Sequence, residues 1–439
     1  MSASVLVIGA GVAGVSACLA ARRAGVDVTV VEGAPGASTL APGSWDVCTP
    51  APRTELDAIA PFPPLSDALA RYVREHPTHP YARLAVRADE VRAAHDALLP
   101  ALDGLYAPWS AEGALVATEL GVLRRSALAD RAVLDLAPLP AARVAVLDLR
   151  SQRQFDGAFL AASLDEQAVA ARDARRFVAV RMEFLRRGDD AVLAPHEAAE
   201  MLDRADARER FVTHLARALG ATRVDAILTP PVLGLASSGA LVAQLRERLG
   251  VPVGELVTSL ASPQSMRLAR ALRAAIERSG ATRIEGRARA IAWDAEGPSA
   301  TLADGTILRA DALVLATGKH VGGGIEVRDH EPRVALASLP VFADGLALSL
   351  SSSSSGRDPA RLFGHDRFAP GPGMRMGVGW DAELRPLDVH GRVACPELFA
   401  CGALLDGARE GDGSSAGCAV VTGARAGASA AARARRHAS

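Results

Sequence analysis

Three glycines at G-x-G-x-x-G spacing between an apolar strand and a helix, an acid closing the next strand, and a late strand running into Ala-Thr-Gly predict an α/β chain. The expected architecture is a Rossmann-like FAD/NAD(P)-binding domain with an inserted α+β second domain. The opening VLVIGAGVAGVSA carries most of that prediction. Val5 to Ile8 is an apolar run suited to a buried strand, and Val12 to Ala24 reads as a helix. Between them, Gly9 allows the tight turn, Gly11 lets a pyrophosphate approach the backbone, and Gly14 lets the helix pack against the strand. The helix start offers free N–H groups and the positive end of its dipole to phosphates. Asp27 to Val31 is a second buried strand ending in Glu32, where an acid can accept hydrogen bonds from an adenosine ribose.

A secretory signal or a spanning helix is the competing reading of this apolar opening. No Lys or Arg precedes it, and three glycines interrupt it before Arg22 and Arg23, so neither pattern fits. The length of 439 residues exceeds one simple domain, which favours two intertwined ones. A formal charge of −1 gives no nucleic-acid footprint. The five cysteines show no CxxC, no Cys/His metal spacing and no secreted framework, which argues for a reducing cytoplasm and against a metal or iron–sulfur centre. Lys319 is the only lysine, a skew read as compositional.

Residues 1–62 are expected to form the N-terminal part of the nucleotide domain. Their loop GAPGASTLAPGSWDV offers hydroxyls and exposed N–H groups at Ser38, Thr39, Gly43 and Ser44. Residues 63–254 mix helical spacing (Asp89 to Leu102, His196 to Leu219) with strands (Arg143 to Leu147, Phe177 to Val180, Ala226 to Thr229) and are expected to be largely inserted. Residues 255–439 return to the first domain. There, Met266 to Ser279 reads as a helix, followed by short strands with turns at Glu296-Gly297 and Asp304-Gly305. The strand Ala312 to Leu315 then runs into Ala316-Thr317-Gly318, where glycine tolerates the close approach of a nucleotide. Ser351 to Ser355 reads as a mobile loop, and the basic tail AAARARRHAS as frayed.

Near the C-terminus, the strand Leu398 to Ala400, a loop holding Gly402, Gly413 and Gly417, and a helix from about Cys418 repeat the strand–glycine–helix order. A second helix start suits the negative charge that a reduced flavin carries on its ring, whereas a nicotinamide dehydrogenase needs only the first. Two helix starts facing one cofactor is therefore a flavoprotein arrangement.

Across those stretches, the chain resembles the B-type subunit of anaerobic glycerol-3-phosphate dehydrogenase, among FAD-dependent GG-type flavoproteins. The likeness is carried by the opening motif, PGSWDV (Pro42 to Val47), HPYARL (His79 to Leu84), DAILTPPVLGL (Asp225 to Leu235), LATGKHVGGGIEV (Leu315 to Val327), ELRPL (Glu383 to Leu387) and ELFACGALLDG (Glu397 to Gly407). It departs from that family at Glu32, at Lys319 and at Gly413-Ser414-Ser415-Ala416-Gly417, where the family has a triple glycine.

The resemblance implies oxidation of sn-glycerol 3-phosphate to dihydroxyacetone phosphate. Electrons would pass through flavin to a C-type iron–sulfur, membrane-associated subunit and then to quinone, with an A-type flavoprotein subunit as the other partner. It places the chain in the cytoplasm, peripheral to the inner membrane through its partners and without a span of its own. FMN is the flavin usually described for the family, while Glu32 favours FAD, so FAD is expected and FMN stays open. The chemistry calls for cations at the phosphate, with Arg267, Arg375 and Arg385 as candidates, and for a base, with His320 first and His365 second. A stand-alone flavin oxidase or monooxygenase, or a non-catalytic partner of the complex, are the alternatives.

Overall fold

Residues 3–33, 36–50, 52–152, 154–184, 192–258, 261–328, 331–348, 372–409 and 411–438 are described by the structure, a computed structural model; Ser351 to Ser355 and His365 lie outside the described residues. The chain divides into two compact units.

The first unit comprises Met1–Ser38, Leu65–Asp103 and Arg270–Ser439. Its centre is a five-stranded sheet in the order Thr282–Glu285, Asp27–Glu32 (β2), Ser4–Ile8 (β1), Ala312–Leu315 and Leu398–Ala400. Every pairing is parallel, with Val5 opposite both Val28 and Ala312. Sheets covered on both faces need strands apolar on both, and Val5, Leu6, Val7 and Ile8 are all buried. From β1 the chain passes through the helix Val12–Arg23 (α1) to β2 on one side, while the strand on the other side arrives some 300 residues later. The sheet order therefore reverses at β1, and the crevice beyond its carboxyl end is where such sheets take a ligand.

The C-terminal helix Ser415–Ala438 runs parallel to α1 and nearly in contact with its backbone. A Cβ on Gly423 would stand 2.3 Å from the Ala13 carbonyl oxygen, and one on Gly427 would stand 2.1 Å from that of Ala17. Only glycine permits that approach. The tail expected to fray is instead helical to Ala438: Ala426, Ala430, Ala431 and Ala434 are fully buried, and Arg433 pairs with Glu397. One apolar alanine face, invisible as a core signal beside four arginines, holds the last turns in place.

Leu65–Asp103, expected in the inserted region, lies in the first unit, tied there by the Glu90–Arg425 ion pair and by Arg278 donating to the Ala101 carbonyl. The turns at Gly297 and Gly305 close an antiparallel three-stranded meander, Ala288–Asp294, Gly297–Leu302 and Ile307–Arg309.

The second unit comprises Thr39–Pro64 and Gly104–Ala269. It holds its own four-stranded parallel sheet, in the order Val253–Glu255, Ala226–Thr229, Arg143–Leu149, Arg176–Met182. Ala145 and Leu147 face one core with Phe211 and Leu241, while Val144 and Val146 face another with Leu160 and Leu164. The apolar run VAVL reads as a strand from sequence, but its two cores appear only once helices cover both faces. The single helix expected over His196 to Leu219 is two, Pro195–Leu202 and Ala205–Leu219. Asp203 breaks the run because its carboxylate accepts from the backbone N–H groups of Leu235, Ala236 and Ser237 at the start of the helix Ser238–Leu249. Among the described residues no helix is long and apolar enough to cross a membrane.

Candidate functional site

The carboxyl ends of β1, Ala312–Leu315 and Leu398–Ala400 bring the expected glycines together. Gly9 adopts φ +114°, and a Cβ there would meet the Ala316 carbonyl oxygen at 2.3 Å, so the opening motif packs directly on the Ala-Thr-Gly turn. A Cβ on Gly14 would fall 1.9 Å from the Gly9 carbonyl oxygen. Gly11 differs, since among the described residues a Cβ there would meet only Ser38 Oγ, at 3.1 Å. Gly11 precedes α1 and supplies no side-chain cap; Ser38 Oγ accepts from the Val12 N–H at 3.3 Å instead. Gly402, at φ +70°, sits against α1, with its would-be Cβ 2.7 Å from Ala13 Cβ. Its N–H donates to Thr422 Oγ1 of the C-terminal helix at 2.9 Å. The first turn of α1, the Thr317-Gly318 turn and the start of the C-terminal helix thus share one end of one sheet.

Both helices point the same way. Ala13 lies beside Gly423, so the C-terminal helix begins about 10 Å beyond the start of α1, at 1.5 Å per residue. Two positive helix ends, staggered along one direction, offer anion sites at two places on an elongated ligand. The Thr317 hydroxyl is buried there with no hydrogen-bond partner among the described residues, an orphan that a bound nucleotide would satisfy. Gly413, at φ +80°, makes the turn into the helix, and Gly417 is buried in its first turn.

Glu32 ends β2 as expected and is held by two cations: Arg273 Nε at 2.7 Å on one oxygen and Arg283 Nη1 at 2.8 Å on the other. Its carboxylate keeps free lone pairs for a ribose while the arginines fix its direction. Thr39, Gly43 and Ser44 belong to the second unit. There the Gly43 N–H donates to Gln264 Oε1 at 3.1 Å and Arg124 to Ser44 Oγ at 2.5 Å.

The cation candidates separate. Arg267 is buried, with Nε on the Gly234 carbonyl, Nη1 on Asp130 and Glu255, and Nη2 on Glu255 at 2.7 Å. Four of its five donors are spent inside the second unit, so it is a structural ion pair and not a phosphate anchor. Arg385 pairs with Asp381 and Glu383 and lines a shallow cleft with Ser429 and Arg433. That point is more than ~20 Å along the helix from its N-terminus, too far from the glycine cluster to reach a substrate there. Arg375 lies closer: its carbonyl accepts the Gly407 N–H, and its guanidinium pairs with Asp344 at 2.8 Å. His320 follows the Thr317-Gly318 turn on an exposed loop, with Nε2 3.3 Å from the Gly373 carbonyl oxygen.

Two features escaped the sequence. Lys319, read as compositional, is fully buried and donates to the Met374 and Ala408 carbonyls at 2.9 and 2.7 Å, tying the Thr-Gly turn to the C-terminal loop. A single lysine directly after Ala-Thr-Gly was the available signal. The other is a hydrogen-bonded chain of buried His79, Ser414 and Tyr72 with half-buried Asp412, signalled by Asp-x-Ser just before a helix. Burial pushes the thiols of Cys401 and Cys418 up, so they stay protonated and inert.

Burial also lowers His79 and His95 to about 4. Their folded values lie below the unfolded 6.5, so stability is full above that pH and is lost as pH falls from 6.5 toward 4, where only the unfolded chain takes up protons. Each contributes up to ~3 kcal/mol across that window. Melting temperatures between pH 7 and 4 should fall more steeply for the native chain than for His95→Gln; parallel curves would refute the assignment.

A family model described as an FAD binding domain matches residues 4–429. The B-type subunit of anaerobic glycerol-3-phosphate dehydrogenase from Yersinia pestis is 31% identical over 421 residues, covering 93% of this chain and 92% of that one. The protein of the same name from Pectobacterium atrosepticum is 29% identical over 427 residues, with 93% of each covered. That of Vibrio vulnificus is 25% identical over 435 residues, covering 95% and 94%. A model spanning nearly the whole chain, together with relatives aligned end to end, shows that this flavin-dependent oxidoreductase belongs to the FAD-binding domain family and, within it, to the B-type subunits of anaerobic glycerol-3-phosphate dehydrogenase.

Proposed function

We propose that this chain binds FAD across the carboxyl end of its five-stranded sheet and serves as one component of a multi-subunit sn-glycerol 3-phosphate dehydrogenase. The observation that carries the reading is the convergence of Gly11, Thr317-Gly318, Gly402 and two staggered helix starts at that one end. The residues fit the cofactor. Gly11 and the start of α1 would hold the pyrophosphate, Glu32 the adenosine ribose, and Thr317, Gly402 and the start of the C-terminal helix the flavin half.

Bound FAD supplies an acceptor for a hydride equivalent. Oxidising the secondary alcohol removes a hydride from C2 and a proton from the hydroxyl. His320 is the base proposed to take that proton, exposed on the loop that follows the Thr-Gly turn. Arg375 is the cation proposed for the substrate phosphate, its charge held in direction by Asp344. Lys319 keeps the Thr-Gly turn and the C-terminal loop in register, so the groups on both meet one ligand. Electrons would pass on to a C-type iron–sulfur, membrane-associated partner, in a complex that also holds an A-type flavoprotein subunit.

The test is direct. Cofactor released from the purified chain by denaturation should chromatograph as FAD at close to one per chain, and sn-glycerol 3-phosphate should reduce a dye when the A-type flavoprotein partner is added. FMN or no flavin would refute the cofactor assignment; FAD without substrate-dependent dye reduction in the assembled complex would refute the substrate.

A further inference from the structure

The loop between the strand Leu398–Ala400 and the C-terminal helix is clamped by the segment Tyr72 to Arg83. Arg83 pairs with Asp406 at 3.2 Å and lies over the Trp380 ring, 3.8 Å from its centre. A Cβ on Gly407 would stand 2.1 Å from the Thr78 carbonyl oxygen. Arg409 Nη1 lies 3.2 Å from His76 Nδ1.

At the end of this clamp the hydrogens all point one way. His79 Nδ1 accepts the Tyr81 N–H at 3.1 Å, so the proton of the neutral ring sits on Nε2 and is donated to Ser414 Oγ at 3.0 Å. Ser414 Oγ donates to Asp412 Oδ1 at 2.6 Å, and the Ser414 N–H donates to the same oxygen at 2.9 Å. Tyr72 donates to Asp412 Oδ2 at 2.5 Å. His79 and Ser414 are almost wholly buried. The chain therefore ends on one carboxylate placed immediately before the first turn of the C-terminal helix. Its charge acts on His76, His79 and, from the next turn, Cys418; Arg409 acts on both histidines, Lys319 on His79 and Cys418, and Glu75 on His76.

An acid at a helix start offsets the positive end of that helix. On the reading above, this is the end that faces the flavin half of FAD, and the inference rests on that reading. We propose that Asp412, fixed by Tyr72, Ser414 and His79, is a positioning residue that opposes negative charge on the reduced cofactor and so holds its reduction potential down. His79, neutral and fixed in one tautomer, steers Ser414 without adding charge of its own.

The experiment reduces the FAD-loaded chain against a reference dye, independently of any substrate. Flavin content is measured first, so failure of the cofactor reading appears as an absence of FAD in the native chain. Asp412→Asn should shift the equilibrium about tenfold toward the reduced form, ~30 mV for two electrons, while Asp412→Glu, which keeps the charge, should not. Tyr72→Phe, which leaves the carboxylate less neutralised by hydrogen bonds, should shift it the other way. That opposite sign is one that simple loosening would not produce, and it tests the inference even if Asp412→Asn fails to fold. Equal shifts for Asn and Glu, or a Tyr72→Phe shift that is absent or has the same sign as that of Asp412→Asn, would overturn the proposal.

Discussion

Gly11→Val is expected to give a folded protein that holds no FAD. Among the described residues a Cβ at this position meets only the Ser38 hydroxyl, the tip of a short side chain, and it approaches neither β1 nor the Thr-Gly turn. Added bulk therefore falls on the ligand side of the loop, where the pyrophosphate must come against bare backbone. Loss of that approach should weaken FAD binding at least 100-fold, ~2.7 kcal/mol, with far-ultraviolet dichroism unchanged. Gly14→Val is the contrasting case, since its Cβ would fall on the Gly9 carbonyl oxygen and must move α1 off the sheet. That variant should lose its fold together with its flavin. If Gly11→Val retained stoichiometric FAD, the cofactor would not lie across this loop, and the proposed function would lose its main support.

Replacing Arg267 with Met should cost ~3–5 kcal/mol of stability, because it strands Glu255 and Asp130 in the interior of the second unit without their cation. Burial raises the Glu255 pKa against the opposing pull of Arg267, so without that cation the rise should be larger and the variant should take up more proton on folding than the native chain does. Adding Glu255→Gln to Arg267→Met should recover part of the loss, which a double-mutant cycle would read as coupling. KM for glycerol 3-phosphate in the assembled enzyme should not change, and the apparent kcat should fall only by the fraction of protein unfolded. A KM increase with an unaltered melting temperature would restore Arg267 to the substrate and sink the structural reading.

The fate of the three arginines shows where sequence reasoning stops. Arg267 and Arg385 both stand in family-like stretches, and residue type alone makes each a fair phosphate ligand. Arg375 also has an acid partner, Asp344; what separates Arg267 is its full burial between two acids, and what separates Arg385 is its place along the fold, neither of which has a local signature. Asp130, Glu255 and Arg267 span more than 130 residues of chain, and no spacing rule links them. His79 and Ser414 are likewise 335 apart, so their hydrogen bond is a product of packing alone.

Local geometry decided much of the rest in advance. The turn at Gly9, the start of α1 and the strand ending in Glu32 depend on backbone conformation and on burial over fewer than 30 residues, and such short-range demands are written in residue type. The same holds for the Thr317-Gly318 turn and for Gly402, each of which follows its own apolar strand. By itself the sequence therefore determined a dinucleotide-binding α/β unit and the identity of most glycines at its mouth. Tertiary structure decided which charges are spent on one another, that Leu65–Asp103 joins the first unit, and that the basic tail is a packed helix. Those outcomes turn on pairings between residues remote in the chain, where a charge or an alanine acquires its role only from the neighbour that folding supplies.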